Sequence, residues 1–420
     1  MRQIALLLGA ALATTLPAQA PWTAKARAYV DLFAGPAMHG RGYVAGGDSL
    51  AADRIAAEFD RLGLEPLDGR RFQHFSFPVN SFPDSVRVAV DGRPLQPGVD
   101  FLVDPASGPA DGTYRLVNLT LEDLLTAERR AMTMSVISGN AARLRFPSTT
   151  NKDSLALFRS LEQEVVRHAP VFRTDVPKLT WSVAGRQYRN AVIDVRVGVV
   201  PDTAMDITLQ VRPRMLPRHA ARNVLGVVPA RGGSKEWVIV SAHYDHLGHM
   251  GPDVVFPGAN DNASGLAMLL CLAEAVKGEP LRRNVLFVAF AGEEAGLAGS
   301  EWFVADRPID LTKVAMVVNL DLNGTGEEGI TVVNSTVQQR FFDQLVEINT
   351  RDGLLTAVKP RGPACNSDHC PFVEKGVPAV FIYTMGGIAA YHDVFDRPET
   401  LPLTEFEDLH RLLTRALSAL

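Results

Sequence analysis

The segment NVLFVAFAGEE, Asn284 to Glu294, places two adjacent carboxylates directly after an unbroken apolar run. A run without polar alternation suits a strand buried on both faces, as in a largely parallel sheet covered by helices. Runs of the same kind recur as NVLGVV from Asn223, WVIVSA from Trp237, VAMVVNLDL from Val314, ITVVN from Ile330 and AVFIYT from Ala379. Helical patterns lie between them, among them Ala263 to Lys277 (ASGLAMLLCLAEAVK), read as a buried helix. The expected fold is therefore α/β: a mainly parallel mixed sheet sandwiched by helices.

Towards the N-terminus the signal changes. From about Val86 to Val211 the pattern is strand-like (VRVAV, YRLVNL, KLTWSV, NAVIDVRVGVV, DITLQV), interrupted by helices over Leu121 to Met132 and Lys152 to His168. Residues 84–212 are read as an inserted, mainly β domain, leaving 21–83 as an N-terminal helical part and 213–420 as the main domain. In the helical part, Ala24 to Phe33 and Asp48 to Leu62 are the candidates, with Leu50, Ile55, Phe59 and Leu62 near one face. A terminal helix is expected from Glu405, with Thr404 as N-cap and Glu407 completing a capping box.

Residues 1–20, MRQIALLLGAALATTLPAQA, set one Arg before an apolar run and end on small-x-small. This is the pattern of an export signal cleaved after Ala20, which predicts a periplasmic or secreted protein with no integral membrane segment once it is removed. The net charge of −5 argues against nucleic acid or an anionic membrane as an obligatory partner. With three cysteines the chain is no disulfide scaffold. Cys271 reads as a buried small hydrophobe, and Cys365 and Cys370 are either free or paired across Asn-Ser-Asp-His.

Residues that bind metals or move protons gather just beyond the apolar runs, where open α/β sheets collect their chemistry. They are His243 and Asp245 in SAHYDHLG, Asp261 in PGANDNASG, Glu293 and Glu294, Asp321 in VVNLDLNG, and His392 in AAYHDVFD. Each has a bland reading alone: a surface His, an Asx cap, two solvated glutamates, a strand-end Asp. Together they supply two imidazoles and several carboxylates, as two adjacent zinc ions and a general base require. Neighbouring side chains diverge at a strand end, so one of Glu293 and Glu294 can meet metal and the other water. Asp245 is placed to orient His243, and Asp393 or Asp368 to receive the second N–H of His392. His246 and His249 are read as loop residues.

The blocks AHYDH, PGANDNASG, AGEEAGLAGS, NLDLNG, SDHCPF and YHDVFDRPETL, in this order, resemble the co-catalytic two-zinc exopeptidases: secreted bacterial aminopeptidases and glutamate carboxypeptidases. The resemblance spans Asn223 to about Thr400, together with His39-Gly40-Arg41-Gly42. It implies the zinc exopeptidase fold and two Zn2+ per chain, with His243 and Asp321 on one ion, Glu294 and His392 on the other, and Asp261 bridging. It implies Glu293 as general base, Asp245 as the partner of His243, and a cis peptide bond after Asp261. Some relatives carry a Tyr just before Ser-Asp-His where this chain has Gly362-Pro363-Ala364-Cys365; either Tyr383 or Tyr391 substitutes, or no Tyr acts. Many relatives insert a protease-associated domain where this chain has its β-rich segment.

The expected function is a zinc metallopeptidase acting on peptides, most readily an aminopeptidase. A free α-amine suits the carboxylates around the metals, whereas a carboxypeptidase needs cations; near the ligands only Arg361 and Lys375 qualify, with Arg129, Arg130, Arg143 and Arg145 added if the insert folds over the site. A glutamate-carboxypeptidase-like enzyme and a one-zinc glutaminyl cyclase are the enzyme alternatives. A non-catalytic receptor-like relative would have lost ligands that are all present here. Oligomeric state is not legible. The Asn-x-Ser/Thr matches at Asn118, Asn262, Asn323 and Asn334 read as accidental.

Overall fold

The computed structural model describes residues 21–147 and 149–420. The expected leader, residues 1–20, lies outside the described residues. Each apolar run from the main domain forms a strand of one eight-stranded sheet. In chain order these are β1 (Phe72–Ser81), β2 (Arg214–Val228), β3 (Trp237–His243), β4 (Asn284–Phe290), β5 (Val314–Leu320), β6 (Ile330–Val333), β7 (Val358–Pro360) and β8 (Ala379–Thr384). Their spatial order is β1-β2-β4-β3-β5-β8-β6-β7. The four central strands, β4, β3, β5 and β8, are mutually parallel, so their C-terminal ends share one edge.

Successive side chains leave a strand on opposite faces, and the core divides accordingly. On one face Val238, Val240, Val285, Phe287 and Val318 pack against helices α1 (Trp22–Phe33), α2 (Gly47–Arg61), α3 (Gly265–Gly278), α5 (Gln339–Asp352) and α6 (Phe406–Ala419). On the other, Ile239, Leu286, Val288, Phe290 and Val317 meet α4 (Ala298–Asp306) and the short helix Cys370–Glu374. Both faces are thus buried, which is why these strands read as continuous apolar runs.

Residues 87–211 contain a second eight-stranded sheet, with helices at Ala127–Ile137 and Lys152–Val165. One of its cores, around Phe101, Phe172, Ile193 and Ile207, continues into Leu247, Met250, Val254 and Phe256 beyond β3.

Several expectations need correction. The part before residue 84 is not only helical, because it holds β1. Pro78 lies inside that strand, at the register shift between Phe77 and Val79 on the outer strand, where a missing N–H costs no ladder bond. Leu50 is exposed, and the buried face of α2 is Ala51, Ala52, Ile55, Ala56 and Phe59. KLTWSV is not a strand: it alternates buried Leu179 and Trp181 with exposed neighbours but runs along a loop rather than a ladder. Thr404 does not cap α6; its hydroxyl donates to Glu327 Oε1 at 2.7 Å. Cys365 and Cys370 form a disulfide with Cα atoms 5.0 Å apart, and Cys271 is free and buried. Among the described residues no helix is long and apolar enough to cross a membrane.

Candidate metal centre and active site

Parallel strand ends deliver the predicted residues to one place. His243 is the last residue of β3, Glu293 and Glu294 follow β4, and Asp321 follows β5. Asp261 lies in the turn Ala259–Ser264 that feeds α3, and the Asp261–Asn262 peptide bond is cis. All five, with His392, line a cavity of about 310 Å³.

Asp261 divides its oxygens between two imidazoles. Oδ1 is 3.4 Å from His243 Nε2, and Oδ2 is 2.9 Å from His392 Nε2. His243 Nε2 also lies 3.4 Å from Asp321 Oδ1, and His392 Nε2 lies 3.3 Å from Glu294 Oε2. Each imidazole is fixed from behind. His243 Nδ1 faces the carbonyl of Asp245 at 3.1 Å, and His392 Nδ1 faces the carbonyl of Trp181 at 2.9 Å. A carbonyl only accepts, so each Nδ1 carries a proton and each Nε2 points to the cluster, where its lone pair is free for a cation once the ring is neutral. Asp321 is likewise half-occupied. Its Oδ2 accepts from Ser367 at 3.1 Å, while buried Oδ1 has no hydrogen-bond partner. One nitrogen and two carboxylate oxygens from His243, Asp261 and Asp321 converge within 4.8 Å, and His246, Asp261 and Glu294 do the same. Two oxygen- and nitrogen-donor groups sharing Asp261 fit a pair of divalent cations.

Electrostatics agree. Burial opposes a charged His243, yet Asp321, Glu293 and Asp261 outweigh it and raise its pKa well above that of ordinary imidazole. For His392, Glu294 and Asp261 overcome burial and raise it to about 9. Burial, then Glu294, Asp368 and Asp321, pushes the Glu293 carboxyl well above its usual range against the pull of His243. Carboxylates thus outnumber cations until metal charge is added.

The surrounding network corrects three assignments. The Asp245 carboxylate is 3.9 Å from His243 Nδ1, beyond hydrogen-bond reach. Instead it accepts the backbone N–H groups of Glu293 at 3.1 Å and Glu294 at 3.3 Å and the Tyr43 hydroxyl at 2.8 Å, fixing the glutamate pair. Neither Asp393 nor Asp368 meets the His392 ring; the Trp181 carbonyl does, from the strand-like KLTWSV segment, and Trp181 N–H returns to the His392 carbonyl at 2.8 Å. This reciprocal pair holds His392 at φ +53°. His246 is no open loop residue: it is fully buried, with Nδ1 2.8 Å from Glu294 Oε1, the oxygen turned away from His392. The turn before Asp261 leaves no space beside it, since a Cβ on Gly258 would lie 2.4 Å from the His246 ring.

Three further residues were given no role by the sequence reading. Fully buried Arg41 donates to the carbonyls of Tyr244, Phe33, Pro257 and Gly258 at 2.7–2.9 Å and of Asp261 at 3.3 Å, bracing that turn. Asp396 accepts the N–H groups of Asn260 and Asp261 at 2.8 and 3.0 Å. Asn262 donates to the carbonyls of His243 and Leu320, tying β3 to β5. The available signal was charge where a core should be, as with Arg41 inside a glycine-rich turn. Tyr383 and Tyr391 both line the cavity, and Tyr391 stacks on His392 at 4.0 Å.

Residues 223–417 match the model of peptidase family M28. A probable leucine aminopeptidase from Arthroderma otae is 30% identical over 168 residues, 38% of this chain and 46% of the relative. Aminopeptidase YwaD of Bacillus subtilis is 28% identical over 191 residues, 43% of this chain and 40% of the relative. The chain thus spans about half the length of the curated relatives it matches. The crystal structure of BSAP, a zinc aminopeptidase from Bacillus subtilis, superimposes with a TM-score of 0.71 at 21% identity, covering 96% of both chains. The fold is that of the zinc aminopeptidases.

Proposed function

We propose that this chain, whose residues 223–417 match the model of peptidase family M28, is an exported two-zinc aminopeptidase. The observation that carries the reading is Asp261, whose two oxygens face the inward-pointing Nε2 atoms of two imidazoles. In this reading His243 and Asp321 would hold one ion and Glu294 and His392 the other, with Asp261 shared between them. Bound there, the ions supply Lewis acidity towards the scissile carbonyl and a water of lowered pKa.

The remaining work falls to side chains. Glu293, which lines the cavity beside the proposed ligands, accepts the proton of the attacking water and passes it to the leaving amine. Asp245 and Tyr43 keep Glu293 and Glu294 in register through the glutamate backbone. Asp321 and Glu293 suit a free substrate α-amine, which favours the aminopeptidase over its alternatives. The leader pattern of residues 1–20 and the Cys365–Cys370 disulfide favour an oxidising, exported location.

The test is metal dependence. Purified protein should carry about two zinc ions, stop releasing leucine from leucyl peptides when chelated, and recover on zinc addition. Full activity in protein shown to be metal-free by elemental analysis would refute the reading.

A further inference from the structure

The cavity holds one cation that the metal chemistry does not use. Arg361 is the one Lys or Arg among the residues lining it, and its only side-chain partner among the described residues is the Tyr383 hydroxyl, 3.2 Å from Nη1. Nearby Lys359, by contrast, approaches Glu328 at 3.9 Å. The Arg361 backbone is pinned: its N–H meets the Val332 carbonyl and Ser335 Oγ, both at 3.0 Å, and its carbonyl accepts from Ser335 Oγ at 3.2 Å. The guanidinium therefore starts from a fixed base at the cavity wall.

Charge decides what it meets. In the proposed centre the carboxylates of Asp261, Glu293, Glu294 and Asp321 are matched by two divalent cations, and Arg361 is left unmatched. Guanidinium forks pair with planar carboxylates through two parallel N–H···O bonds, a geometry that lysine does not offer. A cavity of about 310 Å³ is at the small end for ligand sites. It holds a residue or two of a peptide, so a carboxylate bound by Arg361 belongs to the residues flanking the scissile amide.

We propose that Arg361, supported by Tyr383, forms a carboxylate-binding subsite, and that the favoured substrates carry a carboxylate within one residue of the cleaved bond. Two groups offer that chemistry: the terminal carboxylate of a dipeptide and the side chain of an acidic N-terminal residue. The inference rests on the peptidase reading above.

Initial-rate kinetics on the zinc-loaded protein test it with two substrate pairs, Leu-Gly against Leu-Gly-amide and Glu-p-nitroanilide against Gln-p-nitroanilide. The carboxylate member of at least one pair should lead in kcat/KM, and the pair that shows the lead identifies the source. In Arg361→Ala that lead should shrink about 10–100-fold, the scale of a charge-assisted hydrogen-bonded pair, and chiefly through KM. Arg361→Lys, which keeps charge without the fork, should fall between. No carboxylate lead in either pair, or a lead unchanged in Arg361→Ala, overturns the subsite while leaving the peptidase reading standing. Failure to hydrolyse all four substrates contradicts that reading and the subsite with it.

Discussion

At the scale of single residues, the glutamate pair is where two identical side chains part in role. Asp245 grips both backbone N–H groups, so the two carboxylates are held at fixed and different places. Both line the cavity, but only Glu294 meets His392 and His246. Glu293→Gln should keep about two zinc ions by elemental analysis and lower kcat roughly 10²–10⁴-fold, because an amide cannot accept the water proton. Lost zinc with retained turnover would mean that the roles are exchanged. His246→Ala should act differently: it releases Glu294 Oε1 and should weaken metal affinity about 10–100-fold, as loss of a hydrogen bond behind a ligand does. Competition with a zinc indicator measures this without reference to catalysis. The sequence carried His243, Asp261, Glu293, Glu294, Asp321 and His392 because each follows an apolar run or a glycine turn. It did not carry His246, whose burial depends on the chain returning from Gly258 and Glu294, nor the Trp181 carbonyl, since any residue has one.

At the scale of elements, the segment 178–183 connects the second sheet to the centre. Trp181 is buried, stacks on Phe256 at 4.7 Å, donates its indole N–H to the Val103 carbonyl at 2.6 Å, and presents its own carbonyl to His392. Trp181→Ala removes the anchor but not the acceptor. It should reduce bound zinc from about two ions towards one, read by elemental analysis after dialysis; two ions retained at wild-type affinity would show that His392 is held by other means. A second element contact is electrostatic. His410 of α6 is buried and stacked on Trp22 of α1 at 4.2 Å, and burial lowers its pKa to about 4. The unfolded chain therefore binds the extra proton between about pH 6.5 and 4, so the contribution is full above that window and is lost as pH falls through it. His410→Phe keeps a ring against Trp22, and the stability lost by the wild type between pH 7 and 5 should shrink by about 2 kcal/mol in urea unfolding. The central strands were legible because burial on both faces makes them continuously apolar. β1, with Pro78 at a bulge, and KLTWSV, an alternating stretch without a ladder, were not, because pattern alone does not reveal which backbone partner is present.

At the scale of the whole molecule, two sheets bring their resources to one cavity. The first supplies parallel strand ends, and the second supplies the segment that fixes His392. The sheet core of the first lies on helices rather than on the metal centre, so chelation should abolish hydrolysis with far-ultraviolet circular dichroism little changed. Collapse of that signal would instead make the ions part of the fold. The central claim concerns which end of the substrate faces the centre, and one measurement addresses it: mass-spectrometric product mapping on the zinc-loaded protein with one peptide, presented with a free and with an acetylated N-terminus. The account predicts stepwise loss of residues from the free N-terminus and no cleavage after acetylation. Release of a C-terminal residue from the acetylated peptide would contradict it.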